Sequence, residues 1–361
     1  MRIVQFIYTL GSGGGEKFVV DLSNELCRLG HEVHLITVSE AEERYKFNKQ
    51  FLNREVKYHC LNCSVKLKLS TIPKLERIVE DINPDVVNGH LNIFYLYRLS
   101  MRRKDIKFFY TLHSIANKCV GRGIFRLLAK FFFKKGYITP ITISNECAKS
   151  YVQYLYLPEP KIIVNGRDKI PVSERFEDVK AEVSQYKNSL NSKVFIHIAR
   201  CNPLKNQELL IKSFNKIYED GIDYVLLVIG NKYDSELGNK LKNIACNRIH
   251  FLGEKSNVSD YLACSQYFCL SSKYEGLPIS LLEALAYGVT PICTAVGGIP
   301  DVIIDGKSGY LSTDLTVDSF VSTIKRALAR PISSADLIAI YENKYSMKTC
   351  AAKYLELYRN D

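Results

Sequence analysis

Two glutamates eight positions apart, Glu275 and Glu283, lie in the stretch Tyr-Glu-Gly-Leu-Pro-Ile-Ser-Leu-Leu-Glu-Ala-Leu-Ala-Tyr-Gly at residues 274–288. The first sits in a Gly-Pro turn and the second on the helix expected to follow. A carboxylate can accept two hydroxyl protons at once, so such a pair suits a polyhydroxy ligand. Leu281, Leu282, Ala284 and Leu285 flank Glu283. That setting predicts partial burial, and a buried carboxylate needs partners. A capping carboxylate beside Gly276 and a surface Glu283 are the plainer alternative.

Arg200-Cys201-Asn202-Pro203-Leu204-Lys205-Asn206 follows a strand-like run and precedes a helix. Arg can fork onto a diphosphate, and Lys supplies a point charge. Two cations in such a turn can neutralise a leaving diphosphate; a solvated turn is the alternative for either alone. Near the start, Gly11-Ser12-Gly13-Gly14-Gly15-Glu16-Lys17 also joins a strand to a helix. Glycines there let backbone N–H groups approach a phosphate, and a helix N-terminus favours an anion. Glu16 breaks both the dinucleotide fingerprint and the Walker pattern, leaving a phosphate- or sugar-facing loop, or a tight turn. The turns at Gly297-Gly298-Ile299-Pro300 and Asp305-Gly306-Lys307-Ser308-Gly309 line or bound the same ligand region.

His90, His113 and His197 each end or interrupt a strand-like run. A satisfied structural histidine is the ordinary outcome, and His113 stands out through its Thr-Leu-His-Ser context. Eleven cysteines are scattered without a disulfide framework, which reads as reduced thiols in a cytosolic compartment. Cys60 and Cys63 form one Cys-x-x-Cys, but no second ligand pair has zinc spacing. No Cys/His cluster or Asp-x-Asp triplet suggests a metal site.

The elements that must position these groups form an alternating strand and helix pattern. A length of 361 residues exceeds one ordinary core and predicts two domains. Hydrophobic content of 47% and charged content of 24% describe a soluble globular protein. The first residues lack a signal peptide's apolar run, and no apolar run approaches the roughly 18 residues of a membrane span. Strands are expected at 2–8, 33–38, 85–88, 107–111, 138–143 and 162–164, with an amphipathic helix at 15–29. The pattern restarts with strands at 193–199, 224–230, 249–252, 267–270 and 289–293 and helices at 206–220 and 278–287. This is α/β: two Rossmann-like parallel-sheet domains facing a cleft, with ligands at the carboxyl ends of the strands. The domains are read as 1–168 and 169–345, the boundary falling in the charged, weakly periodic stretch 167–190. A C-terminal helix at 346–361 is expected to pack back on the first domain.

The motifs together resemble glycosyltransferase family 4, retaining transferases of the GT-B type. The resemblance runs through Arg200 and Lys205, the Glu275-x7-Glu283 pair, Pro291 to Gly298, and Asp305-Gly306 with Gly309. It extends to Gly13-Gly14-Gly15-Glu16-Lys17, Asn83-Pro84-Asp85-Val86-Val87, Thr111-Leu112-His113-Ser114, Ile143-Ser144 and Asn165-Gly166, and so covers nearly the whole chain. It implies that Arg200 and Lys205 hold the donor diphosphate and that Glu283 binds the nucleotide's ribose. Glu275, with the backbone after Gly276 at Leu277 and Pro278, would hold the donor sugar. Gly14 would lend its N–H to the phosphate side once the domains close, and His113 would lie by the reaction centre. The first domain would bind the acceptor and the second the nucleotide sugar. The resemblance implies no bound catalytic metal and no other cofactor. Two departures stand out: Ala199 stands where the family commonly has Gly before the Arg, and Gly-Leu-Pro follows Glu275 in place of Gly-Phe-Gly, which bears on the shape of the sugar pocket.

Net charge is +11 and uneven. Residues 1–168 hold 26 Lys+Arg and 16 Asp+Glu, and the remainder 23 and 22. Arg122, Arg126, Lys130 and Lys134 recur every fourth residue within 121–137, with Phe125, Leu128 and Phe132 forming an apolar face. Such a helix can lie on an anionic bilayer, or can be an ordinary domain helix with a solvated basic edge. Lys66-Leu67-Lys68-Leu69 and Arg102-Arg103-Lys104 add basic surface. No nucleic-acid-binding module is recognisable. The reading is a cytoplasmic, membrane-peripheral glycosyltransferase acting on a saccharide acceptor, lipid-linked by hypothesis. A nucleotide-sugar epimerase would turn over without acceptor, and a sugar phosphorylase would need phosphate. A non-catalytic nucleotide-sugar binding module would bind donor without transfer, and a dehydrogenase leaves the glutamate pair unexplained.

Overall fold

The computed structural model describes residues 1–64, 68–91 and 93–360. Lys66 and Leu67 of the first basic run lie outside the described residues. The chain forms two compact units: Met1–Arg167 with Met347–Asp361, and Asp168–Ser346.

The first unit is a seven-stranded sheet in the order β3-β2-β1-β4-β5-β6-β7. Its strands are β1 (Arg2–Ile7), β2 (Glu32–Thr37), β3 (Lys57–Cys60), β4 (Val86–His90), β5 (Lys107–Leu112), β6 (Thr139–Thr142) and β7 (Lys161–Ile162), and every pairing is parallel. The two faces carry separate cores. Val4, Phe6, Val87, Phe108 and Tyr110 face one, with Phe132 of the helix Ile124–Lys134. Ile3, Ile7, Val86 and Phe109 face the other, under Phe18 and Leu22 of the helix Gly14–Arg28. The C-terminal helix Met347–Asn360 belongs to this unit. It buries Met347, Cys350, Ala351, Tyr354 and Tyr358 on that second face and packs beside the helix Gly14–Arg28.

The second unit is a six-stranded parallel sheet in the order β10-β9-β8-β11-β12-β13. Its strands are β8 (Lys193–Ile198), β9 (Tyr224–Ile229), β10 (Ile249–Gly253), β11 (Tyr267–Leu270), β12 (Thr290–Thr294) and β13 (Tyr310–Ser312). Strand β9, Tyr-Val-Leu-Leu-Val-Ile, is buried throughout, as a central parallel strand covered on both faces must be.

Several elements are absent from the sequence reading, among them two strands and a helix at the domain boundary. Strand β3 alternates poorly and is exposed to half-buried at the sheet edge. Strand β13 is only three residues long. The helix Phe176–Gln185, within the weakly periodic stretch, buries only Val179 and Val183, too few for a clear helical stripe.

Candidate functional site

In a doubly wound sheet, two loops diverge where the strand order reverses, and ligands bind at the carboxyl ends there. In the second unit that point lies between β8 and β11. The loop after β8 carries Arg200 and Lys205, and the loop after β11 carries Glu275. The structure joins them. Lys205 Nζ donates to both carboxylate oxygens of Glu275, at 2.7 and 2.9 Å. Ser272 Oγ donates to Glu275 Oε1 at 2.5 Å. Glu275 is 7% exposed, so its charge is held by these partners rather than by water.

The backbone around the pair is stitched on both sides. Asn202 Oδ1 accepts from the N–H groups of Leu204 and Lys205, closing an Asx turn. Asn206 then takes a left-handed conformation, φ 51°, and the helix Gln207–Glu219 begins. Ser271 Oγ donates to the carbonyls of Lys205 and Asn206, tying this turn to the end of β11. Lys273 N–H donates to Leu204 O at 2.7 Å. Gly298 N–H donates to Glu275 O at 3.1 Å, which brings the Gly297-Gly298 turn to the same place. Asn202, Ser271 and Ser272 were not singled out from the sequence; their signal is small polar residues in the two loops that carry the charges.

Arg200 is exposed, and its side chain has no ion pair among the described residues. Its carbonyl accepts from Gln207 Nε2. Pro278 ends the extended turn, and the helix Ile279–Ala286 follows with Leu281, Leu282 and Leu285 buried. Glu283 is half-buried on that helix, and Leu277 and Pro278 are buried beside half-buried Gly276. The second turn, at 305–309, has a different task. Asp305 pairs with Arg326 and accepts from Leu311 N–H, which closes the turn into β13.

In the first unit the order reverses between β1 and β4. The glycine loop follows β1, with Gly13 as N-cap of the helix that Gly14 begins. The Glu16 carboxyl folds back over Gly13, where any side chain would collide with it. Burial raises the Glu16 pKa. Lys17 turns away to Asp21 and over the Phe51 ring, so it is not aimed at a loop ligand. His113 follows β5 and lies against the loop: a Cβ at Gly15 would sit 3.5 Å from its Cγ. The two residues taken from separate motifs, Gly15 and His113, are neighbours. His90, at the end of β4, is buried and within hydrogen-bond distance of His113.

His197 lies at the same level of the second sheet. Its Nδ1 donates to Cys269 O at 2.8 Å, and burial lowers its pKa to about 4. The eleven cysteines are free thiols, and no group of three His, Cys, Asp or Glu side chains among the described residues is placed to hold a metal ion. On the helix Ile124–Lys134, Phe132 is buried, Leu128 packs partly and Phe125 meets Phe94. Arg126 is drawn inward, donating to Tyr154 O. The outward face instead carries Ile124, Leu127 and Phe131, 62%, 58% and 45% exposed.

Comparison with known proteins agrees with the two-sheet fold. The family described as Glycosyltransferase Family 4 matches residues 12–169, and that described as Glycosyl transferases group 1 matches residues 178–344. The chain belongs to this glycosyltransferase family, whose two Rossmann-like sheets make the GT-B fold. It is 26% identical over 374 residues to N-acetyl-alpha-D-glucosaminyl L-malate synthase of Bacillus anthracis, covering 97% of this chain and 95% of the relative. It is 27% identical over 285 residues to the UDP-Gal:alpha-D-GlcNAc-diphosphoundecaprenol alpha-1,3-galactosyltransferase of Escherichia coli, covering 74% and 72%. Among solved structures, Anabaena HepE in complex with UDP superposes with a TM-score of 0.81 at 16% identity, over 100% of both chains. That likeness carries the fold alone.

Proposed function

Proceeding from that membership, we propose that the chain is a retaining transferase that moves one sugar from a nucleotide sugar to a lipid-linked saccharide, in the synthesis of a surface polysaccharide or glycolipid. The observation that carries this reading is the Lys205–Glu275 pair with Arg200 at the switch point of the second sheet. It offers an ammonium and a guanidinium for a diphosphate and, beside them, a buried carboxylate for sugar hydroxyls. Glu283 binds the ribose, and the backbone at Gly276, Leu277 and Pro278 shapes the sugar's seat. The first unit binds the acceptor. Gly14 lends its N–H to the phosphate, and His113 attends the transferred sugar. The UDP held by HepE and the UDP-Gal and diphosphoundecaprenol named for the Escherichia coli enzyme support a nucleoside diphosphate donor and a lipid-linked acceptor.

In the reaction, the bond from the anomeric carbon to the diphosphate oxygen breaks, and the acceptor oxygen bonds that carbon on the same face. The acceptor's proton passes to the departing phosphate. Arg200 and Lys205 stabilise the charge that develops on the diphosphate, where fixed charges act most strongly. Glu275 positions the sugar and forms no covalent bond to it.

No described helix is long and apolar enough to cross a membrane. A peripheral contact is supported by the exposed Ile124, Leu127 and Phe131. They lie within a stretch, residues 106–145, that holds seven Lys and Arg and no Asp or Glu. Exposed apolar side chains in a basic stretch suit an anionic bilayer surface.

A thermal-shift panel of nucleotides and nucleotide sugars tests the donor, since a ligand of the folded state raises its stability in proportion to affinity. Turnover of the best donor with diphosphoundecaprenol-linked saccharides then tests transfer. If no nucleotide sugar shifts the melting point or is consumed, the transferase reading falls.

A further inference from the structure

The second unit is hollowed at the end of its sheet opposite the charged loops. All six strands are parallel, so the carboxyl ends followed by Arg200, Lys205 and Glu275 lie at one end of the sheet. The turn at 305–309 leads into β13 and therefore lies at the other. The helix Val317–Ala329 returns the chain to that end, where Ser334 Oγ donates to Gly288 O, just ahead of β12, at 2.9 Å. A cavity of about 780 Å³ opens there, lined in part by Lys307, Tyr310, Arg326, Arg330, Ile332 and Asp336. Its volume falls within the roughly 300–1,000 Å³ of small-molecule sites.

The charges around it are unequal. Lys307 and Arg330 are exposed and make no ion pair among the described residues. Arg326 is held in place: Asp305 accepts from one of its terminal nitrogens, and its guanidinium lies 5.5 Å from the centre of the Tyr310 ring. Its remaining N–H groups have no hydrogen-bond partner among the described residues. Asp305 is thereby spent on Arg326. Asp336 stands in the first turn of the helix Ser334–Lys344, where the helix itself favours an acid. Tyr310 is buried, and its hydroxyl donates to Arg330 O, so the ring is fixed beside half-buried Ile332. A neighbouring hollow shares Arg326 and adds Lys216 and Lys325 against Asp318. A pinned guanidinium, a second guanidinium and an ammonium around one hollow suit a dianion with several acceptor oxygens, which is what a phosphate group offers.

We propose that this cavity binds a phosphate group, free or as the ester of a small metabolite, between Lys307, Arg326 and Arg330. The body of an ester would lie over Tyr310 and Ile332. The site belongs to the second unit alone, is separate from the Lys205–Glu275 pair, and does not rest on the transferase reading.

Isothermal titration of the full chain with glucose 6-phosphate and with inorganic phosphate, at physiological ionic strength, tests it. Binding of at least one probe is expected. Tighter binding of glucose 6-phosphate makes the ester the ligand, and tighter binding of inorganic phosphate makes it the free ion. Lys307→Ala with Arg330→Ala should weaken the tighter probe at least tenfold, since it removes two of the three cations. Both side chains are exposed, so the melting temperature of this variant should match that of the parent chain. Lys307→Ala alone, on an exposed turn, should show part of the same loss. Arg200→Ala, at the other end of the sheet, should leave the affinity unchanged. If neither probe binds, or if binding is lost in Arg200→Ala and kept in the Lys307 and Arg330 variant, the proposal is overturned.

Discussion

Lys205 and Glu275 are 70 positions apart in the chain, yet each supplies the other's counter-charge. Their removal therefore has two consequences that can be separated. If Lys205 faces the leaving group as proposed, Lys205→Ala removes a cation from it, and kcat/KM should fall at least tenfold, or more than about 1.4 kcal/mol. It also strands a buried carboxylate, which should lower stability by about 1–3 kcal/mol. The double variant Lys205→Ala with Glu275→Ala should regain much of that stability in urea unfolding while activity stays lost. A double variant no more stable than Lys205→Ala would show that the pair is not what holds the two loops. Glu283→Ala should act differently, raising the KM for donor more than it lowers kcat, because the proposed ribose contact would be the same in the ground and transition states. Chemical type and loop position made Arg200, Lys205 and Glu275 visible in the sequence. The pairing was not visible, because contact between distant loops depends on strand order. The same holds for His90 and His113, which looked like isolated histidines and are hydrogen-bonded to each other.

At the scale of elements, apolar runs marked the central strands because a parallel strand is buried on both faces. Edge strands β3 and β13 escaped because they have only one covered side or very few residues. The helix Ile124–Lys134 shows a subtler limit. Its strongest periodicity marks the face turned to the core, and the face left exposed is read only once the packing is known. Leu127→Glu on that exposed face should leave the unfolding free energy within about 0.5 kcal/mol of wild type. It should also weaken co-sedimentation with vesicles containing anionic phosphatidylglycerol at low salt. Undiminished vesicle binding, or no binding by the parent chain, removes the membrane contact from the reading. The C-terminal helix carries a different expectation. Tyr354 is fully buried against Phe18, and its hydroxyl meets that of Thr111. Tyr354→Ala should cost about 3–5 kcal/mol, as large aromatic truncations in cores do. Urea unfolding followed by circular dichroism measures it, and a loss below about 1 kcal/mol would show that the helix is dispensable to the first core.

Across the whole molecule, each unit holds neutral imidazole at the carboxyl end of its central strands: buried His90 and half-buried His113 in the first, buried His197 in the second. This ties the stability of both units to pH in one direction. The unfolded chain takes up protons on these rings near pH 6.5, whereas the folded chain resists until about pH 4 at His113 and His197. The unfolded state thus binds more protons in that window, and stability falls as pH drops through it. Above pH 6.5 these groups add no slope. Each ring contributes up to about 1.4 kcal/mol per pH unit. Between pH 6.5 and 5 most carboxylates remain ionised, so the histidines dominate the change. His197→Asn keeps an amide N–H near the Cys269 carbonyl and removes one titrating ring from the second unit. Urea unfolding of this variant at pH 6.5, 5.8 and 5.0 should give a slope smaller than wild type by about one proton. Identical slopes would mean that His197 is protonated in the folded chain, and its place in the second core would then need an acidic partner that Cys269 does not provide.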